Sequence, residues 1–246
     1  MEGRNIKLLI AYDGTDFCGW QKQENSRTVQ GVIEQALEKM HAHPVNLTGS
    51  GRTDSGVHAA GQAANFYTDI ISIPPDRFTA ALNSLLPQDV RILDSCEEKN
   101  EFHARFSACA RTYRYHFICR TMLPHESRYN LRLNRFPRLE KLNAYGRLLL
   151  GETDCSIFAG SGDTSKSKQR YVYSSQFYTE GDRLIFEICA NAFLRNMVRS
   201  VAGTFLHYEE KDTPPEKLRE IIASGDRSLA GPSLPPQGLF LWKIEY

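Results

Sequence analysis

No CxxC pair occurs in the sequence, and the six cysteines, at 18, 96, 109, 119, 155 and 189, are scattered. That spacing excludes the usual zinc frameworks and gives no basis for a disulfide scaffold, so free thiols in a reducing cytosol are expected. His58 and His103 belong to no HxxxH or HExxH pattern and share no ligand spacing with Asp54, so no metal is expected. The stretch "GSGRTDSG" (49–56) lacks the Gly-Lys-Ser/Thr of a P-loop, and Ser55 sits in no G-x-S-x-G elbow that would suit a Ser-His-Asp triad. Long apolar runs are missing too. The opening "MEGRNIKLLIAYDG" has strand length, too short for a signal h-region with its cleavage site or for a membrane helix, and a cytoplasmic protein without a membrane span is expected. No low-complexity linker divides the chain.

What is present suits an ordinary globular protein. Of 246 residues, 41% are hydrophobic and 24% charged, enough to bury a core in one large domain or two smaller ones. The formal net charge of +1 hides an uneven distribution: residues 1–100 hold nine Lys/Arg against thirteen Asp/Glu, while 103–135 hold seven Arg and a single acid, Glu126. A local basic stretch in a neutral chain points to a face for an anionic partner.

Hydrophobic periodicity orders the first hundred residues as β-α-β-β-α-β. "NIKLLIAYD" (5–13) reads as a buried strand, and "TVQGVIEQALEKMH" (28–41) as a helix with Thr28 as its cap. "VNLTGS" (45–50) and "GQAANFYTD" (61–69) read as strands, "PPDRFTAALNSLL" (74–86) as a helix opened by proline, and "DVRILDSCEE" (89–98) as a strand. The second half repeats the order: strand 109–120, helix 138–151 stopped by Gly151, a hairpin across "EGD" (180–182), helix 192–208, an extra helix at 214–225, and the closing strand "GLFLWKIEY" (238–246). The expected fold is α+β, with two ferredoxin-like halves, 1–104 and 105–246, forming a continuous mixed sheet flanked by helices.

Between the second and third strands of the first half lies "TGSGRTDSGVHAAGQAANF" (48–66), where the second half has only a tight hairpin. Its lone acid, Asp54, follows Arg52 by two residues among Gly49, Gly51 and Gly56. A surface turn explains such glycines; so does a backbone that a ligand must approach closely, with Asp54 aimed at it. Further on, Arg105, Arg111, Arg114 and Arg120 are interleaved with Phe106, Tyr113, Tyr115 and Phe117. Arginine grips phosphate and aromatic rings stack on bases, so the mixture suits nucleic acid, although an amphipathic strand with a solvated face has the same pattern. In a strand, residues 111, 113, 115 and 117 share one face and 114 takes the other. Arg195 and Arg199 fall four apart, on one side of the expected helix.

Taken together, these residues resemble the tRNA pseudouridine synthase I (TruA) family. "GRTDSGVHA" (51–59) is similar to the loop carrying that family's catalytic aspartate. "AYDGTDFCGWQKQ", "FHARFSACARTYRY", "NAFLRNMVR" and "GLFLWKIEY" match further blocks in the same order, nearly end to end. The sequence departs from the family at "TDCSIF" (153–158) and in the loop "GSGDTSKSK" (160–168). The resemblance implies isomerisation of uridine to pseudouridine at positions 38–40 of the tRNA anticodon stem-loop, no cofactor, and a homodimer.

It also implies roles. Asp54 would be the catalytic nucleophile, Arg199 its charge partner, and Tyr113 the ring that stacks on a flipped uracil. Arg52 would fill the gap left by the base or hold its phosphate. Substrate contacts would extend to His58, Arg105, Arg111, Arg114, Arg195 and Leu239. His58 reads as a loop-ordering residue before an acid–base group, and Leu239 or Leu241 walls the base pocket or packs the core. Two other classes stay open: a non-catalytic tRNA-binding or folding module on the same fold, and a nucleoside hydrolase. The extended basic stretch speaks against the hydrolase.

Overall fold

Residues 3–246 are described by a computed structural model. Among them are ten strands and five α-helices, a mixed α+β fold with both antiparallel and parallel ladders, consistent with the expected pseudouridine synthase fold. The chain groups into two compact units, residues 1–109 with 240–246, and residues 110–239. The sequence reading divided it at 104/105 and left the last strand with the second half.

The first unit has the expected β-α-β-β-α-β order. It runs through β1 (Arg4–Tyr12), α1 (Val29–His41), β2 (Thr48–Gly49), β3 (His58–Thr68), α2 (Phe78–Asn83) and β4 (Val90–Glu98). β1 is central, antiparallel to both β3 and β4. Strand alternation turns Ile6, Leu8, Ile10 and Tyr12 into the core, where they are buried with Ile33 and Leu37 of α1 and Phe78 and Leu82 of α2. Thr28 caps α1, its side chain accepting the Gly31 N–H. Of the strand expected at 45–50, Thr48 and Gly49 pair with β3 and the Ser50 N–H donates to the Ala63 carbonyl, while residues 45–47 stand apart from the ladder. The reason lies on α1: Gln30 Nε2 donates to the Leu47 carbonyl at 3.0 Å, and Glu34 Oε1 accepts the Leu47 N–H at 3.2 Å. Those backbone groups are therefore taken from the ladder.

The second unit contains β5 (Ala110–Ile118), β6 (Leu131–Arg132), α3 (Leu139–Arg147), β7 (Gly151–Asp154), β8 (Gln169–Glu180), β9 (Arg183–Ala190), α4 (Met197–Glu210) and α5 (Pro215–Ala223). β5, β9, β8 and β7 follow one another as an antiparallel path, and β6 lies parallel to β5. Neither β6 nor β7 was legible as a strand, being two and four residues long. The core is aromatic: Phe177 stacks on Phe186 at 4.5 Å, and Phe205 of α4 and Tyr145 of α3 close over them.

The helix expected from 192 begins only at Met197, because Asn196 is left-handed, with φ at 60°. Arg195 therefore precedes the helix, and the expected common helical face with Arg199 does not exist. The last strand, β10 (Leu239–Glu245), pairs in parallel with β3 through Phe240 opposite His58 and Leu241 opposite Ala59. That pairing assigns residues 240–246 to the first unit.

Candidate active site

Asp54 lies on the connection from β2 to β3, and the segment after β1 packs along the back of that connection. The Trp20 N–H donates to the Thr53 carbonyl at 3.1 Å, while the Gly56 N–H and the Ser55 hydroxyl both donate to the Phe17 carbonyl. Two glycines outside the loop permit this approach. At Gly14 a Cβ would overlap the Val57 carbonyl oxygen. At Gly19, whose φ is +89°, it would lie 2.7 Å from the Thr53 carbonyl oxygen. Gly14 and Gly19 thus admit the backbone of the loop.

Buried polar side chains hold the loop from within. The Tyr12 and Thr53 hydroxyls are 2.8 Å apart in the core. Burial pushes the Tyr12 phenol up, against the opposing pull of Thr53 and Gln62, so it stays a neutral hydrogen-bonding group. Gln62, with no exposed surface, donates from Nε2 to the Gly51 carbonyl at 2.8 Å, and its Oε1 accepts from Gly51 and Ala63. His58 is also fully buried; Nδ1 accepts the Gly14 N–H at 3.0 Å, and the ring stacks 4.7 Å from Phe240. Asp13 Oδ1 approaches the same nitrogen to 3.2 Å. The buried His58 thus ties the start of β3 to the segment after β1. Nothing in the sequence flagged Tyr12 or Gln62; a glutamine on a strand between Gly61 and Ala63 was the available signal.

The outward groups differ in kind. Asp54 is half-buried, on a backbone anchored on both sides. Arg52 is exposed and has no hydrogen bond or ion pair among the described residues. Arg105 also belongs to this unit, its guanidinium 5.5 Å from the Phe106 ring.

The remaining candidates lie in the second unit. Tyr113 is 8% exposed, edge-on to Phe193 at 5.0 Å. Arg199 Nε donates to the Leu234 carbonyl at 2.7 Å and Nη1 to Asn196 Oδ1 at 3.1 Å, two bonds that set the guanidinium plane. Tyr115 donates to the next carbonyl, Pro235, so the chain leading to β10 is gripped twice. Leu239 is buried, its N–H donating to Pro236. Arg111 donates to the Asn191 carbonyl at 2.7 Å, and Arg195 is exposed.

Much of the basic stretch is committed to the fold. Arg114 pairs with Glu187 at 2.6 Å, Arg120 with Glu126 and Asp182, and Arg135 with the buried Glu209. Two opposed effects act on Glu209: burial raises its pKa, and Arg135, Arg138 and a backbone N–H lower it further, leaving it below the ordinary carboxylate range.

Comparison with known proteins gives a consistent result. A sequence model described as tRNA pseudouridine synthase matches residues 8–107 and 146–246. A protein of Treponema denticola named tRNA pseudouridine synthase A is 52% identical, covering 99% of this chain and 93% of the relative. Like-named proteins of Treponema pallidum and Caldicellulosiruptor saccharolyticus are 49% and 44% identical, covering 93% and 99% of this chain and 84% and 100% of their own lengths. With matches of this identity over nearly its whole length, the chain belongs to the tRNA pseudouridine synthase family.

Proposed function

We propose that this chain isomerises uridine to pseudouridine at positions 38–40 of the tRNA anticodon stem-loop, with Asp54 as the essential carboxylate. The observation that carries the reading is a half-buried acid on a loop whose neighbouring residues are pinned by buried hydrogen bonds, in a chain related throughout to tRNA pseudouridine synthases. Rigid support of this kind is what a catalytic side chain needs for its aim.

The reaction breaks the N1–C1′ bond, turns the uracil and joins C5 to C1′. N1 gains a proton, C5 loses one, and no electrons are exchanged. Asp54 serves by attacking C1′ or C6 or by stabilising charge at C1′ as the glycosidic bond opens. The target base must leave its stack, at a cost of a few kcal/mol. Tyr113 recovers part of that cost by stacking on the uracil, and Arg199 serves as the charge partner of Asp54. Arg52, exposed and without an ion pair among the described residues, takes the phosphate or the space the base vacates. The working form is a cytoplasmic homodimer, which sedimentation equilibrium checks.

Tritium release from tRNA labelled at uracil C5 tests the reading. Wild type releases tritium, and Asp54→Asn, compared at equal tRNA binding, releases none. Tight binding of unmodified tRNA without release by wild type would instead identify a non-catalytic tRNA-binding module.

A further inference from the structure

The turn that follows β4 in the first unit is built with more care than its exposed tip explains. From His103 to Ser107 every backbone N–H has an acceptor. His103 N–H donates to Ser107 Oγ, Ala104 to Asn65 Oδ1, Arg105 and Phe106 to His103 Nδ1, and Ser107 to the His103 carbonyl. Beneath the turn, the buried Asn5 donates to the carbonyls of Lys99 and Phe102, both at 2.9 Å. Asn65 donates to Asn5 Oδ1 at the same distance. Tyr246 donates to the Ala104 carbonyl. Buried amides are costly unless bonded, and here they are bonded to one short turn.

On this base Phe106 points away from the protein, 76% exposed. The His103 ring lies 4.4 Å from it, centroid to centroid, and the Arg105 guanidinium 5.5 Å away. An imidazole and a cation therefore stand next to the exposed ring. An exposed ring on an anchored turn, with a guanidinium over it, offers a stacking surface to a nucleobase and a cation to the adjoining phosphate.

We propose that Phe106 is a stacking post for a base of the bound tRNA, with Arg105 holding the adjoining phosphate. This rests on tRNA being the substrate. The post lies outside the Asp54 loop, so it positions the RNA and takes no part in the bond changes. An aromatic ring at 106 is required for stacking; apolar bulk alone does not suffice.

The test compares wild type, Phe106→Leu and Phe106→Tyr for affinity to unmodified tRNA, tritium release, melting temperature and sedimentation of the free protein. Loss of one stacked base weakens tRNA binding about 5- to 150-fold. Phe106→Leu is expected to show that loss and a higher KM with kcat retained, and Phe106→Tyr to restore both, all at one melting temperature. Wild-type affinity and KM in Phe106→Leu would overturn the proposal. So would a changed sedimentation coefficient in that variant, which would make the ring a protein contact. If wild type releases no tritium yet Phe106→Leu alone binds tRNA weakly, the catalytic reading fails and the stacking post stands.

Discussion

Two connections occupy the same place in the two halves of this chain and are built in different ways. Gly181 and Asp182 turn β8 directly into β9; Gly181 takes a φ of +61°, and a Cβ added there would meet nothing within 4 Å. The connection from β2 to β3 runs through residues 50–57 and is held by Tyr12, Gln62, His58 and the close approach of Gly14 and Gly19. A turn that only reverses the chain needs one permissive residue. The longer loop is supported from the core, and what it displays is Asp54.

Substitutions at matched glycines break the comparison most sharply. Gly14→Ala forces a methyl group into the Val57 carbonyl and must displace the loop. A shift of about 1 Å at a catalytic group costs roughly 10²-fold in rate, so tritium release should fall at least that far. A smaller effect is expected at Gln62→Ala, which removes the partner of both Gly51 backbone groups. The cost is about 1–3 kcal/mol of stability, with kcat reduced and KM for tRNA unchanged; thermal denaturation and steady-state kinetics read the two.

Smaller again is the contrast between exposed and committed arginines. Arg52→Ala or Arg195→Ala should each lower the log–log salt slope of tRNA binding by about 0.7–0.9, one phosphate contact. Arg120→Ala, which removes a partner of Glu126 and Asp182, should leave the slope unchanged. Smallest is Gly181→Ala, costing about 1–2 kcal/mol for a left-handed alanine with no change in tritium release.

The fold was legible wherever a face of the chain is continuously apolar, as in β1, α1 and the β8–β9 hairpin. It was illegible where one residue's backbone or one distant partner decides. Asn196 delays α4 by a left-handed φ that no periodicity records. Glu34 and Gln30 end a strand from a neighbouring helix. Asp54 stood out through its surrounding motif, but its supports did not, because Tyr12 and Gln62 look like ordinary strand residues. The arginines of the basic stretch looked available because Glu187 and Glu209, which occupy two of them, lie more than seventy residues away in sequence.

The parallel pairing of Phe240 and Leu241 beside His58 and Ala59 has a consequence in time. The loop bearing Asp54 leaves the ribosome early, but the strand that flanks its downstream anchor, with the ring that stacks on His58, is translated only after the whole second unit. A nascent chain halted before Phe240 would carry every group of the loop and lack one wall of its mounting. The mounting of the loop is thus completed by residues made after the second unit. A tritium-release assay on chains truncated before Phe240, inactive although the loop is intact, would show that the loop needs that wall.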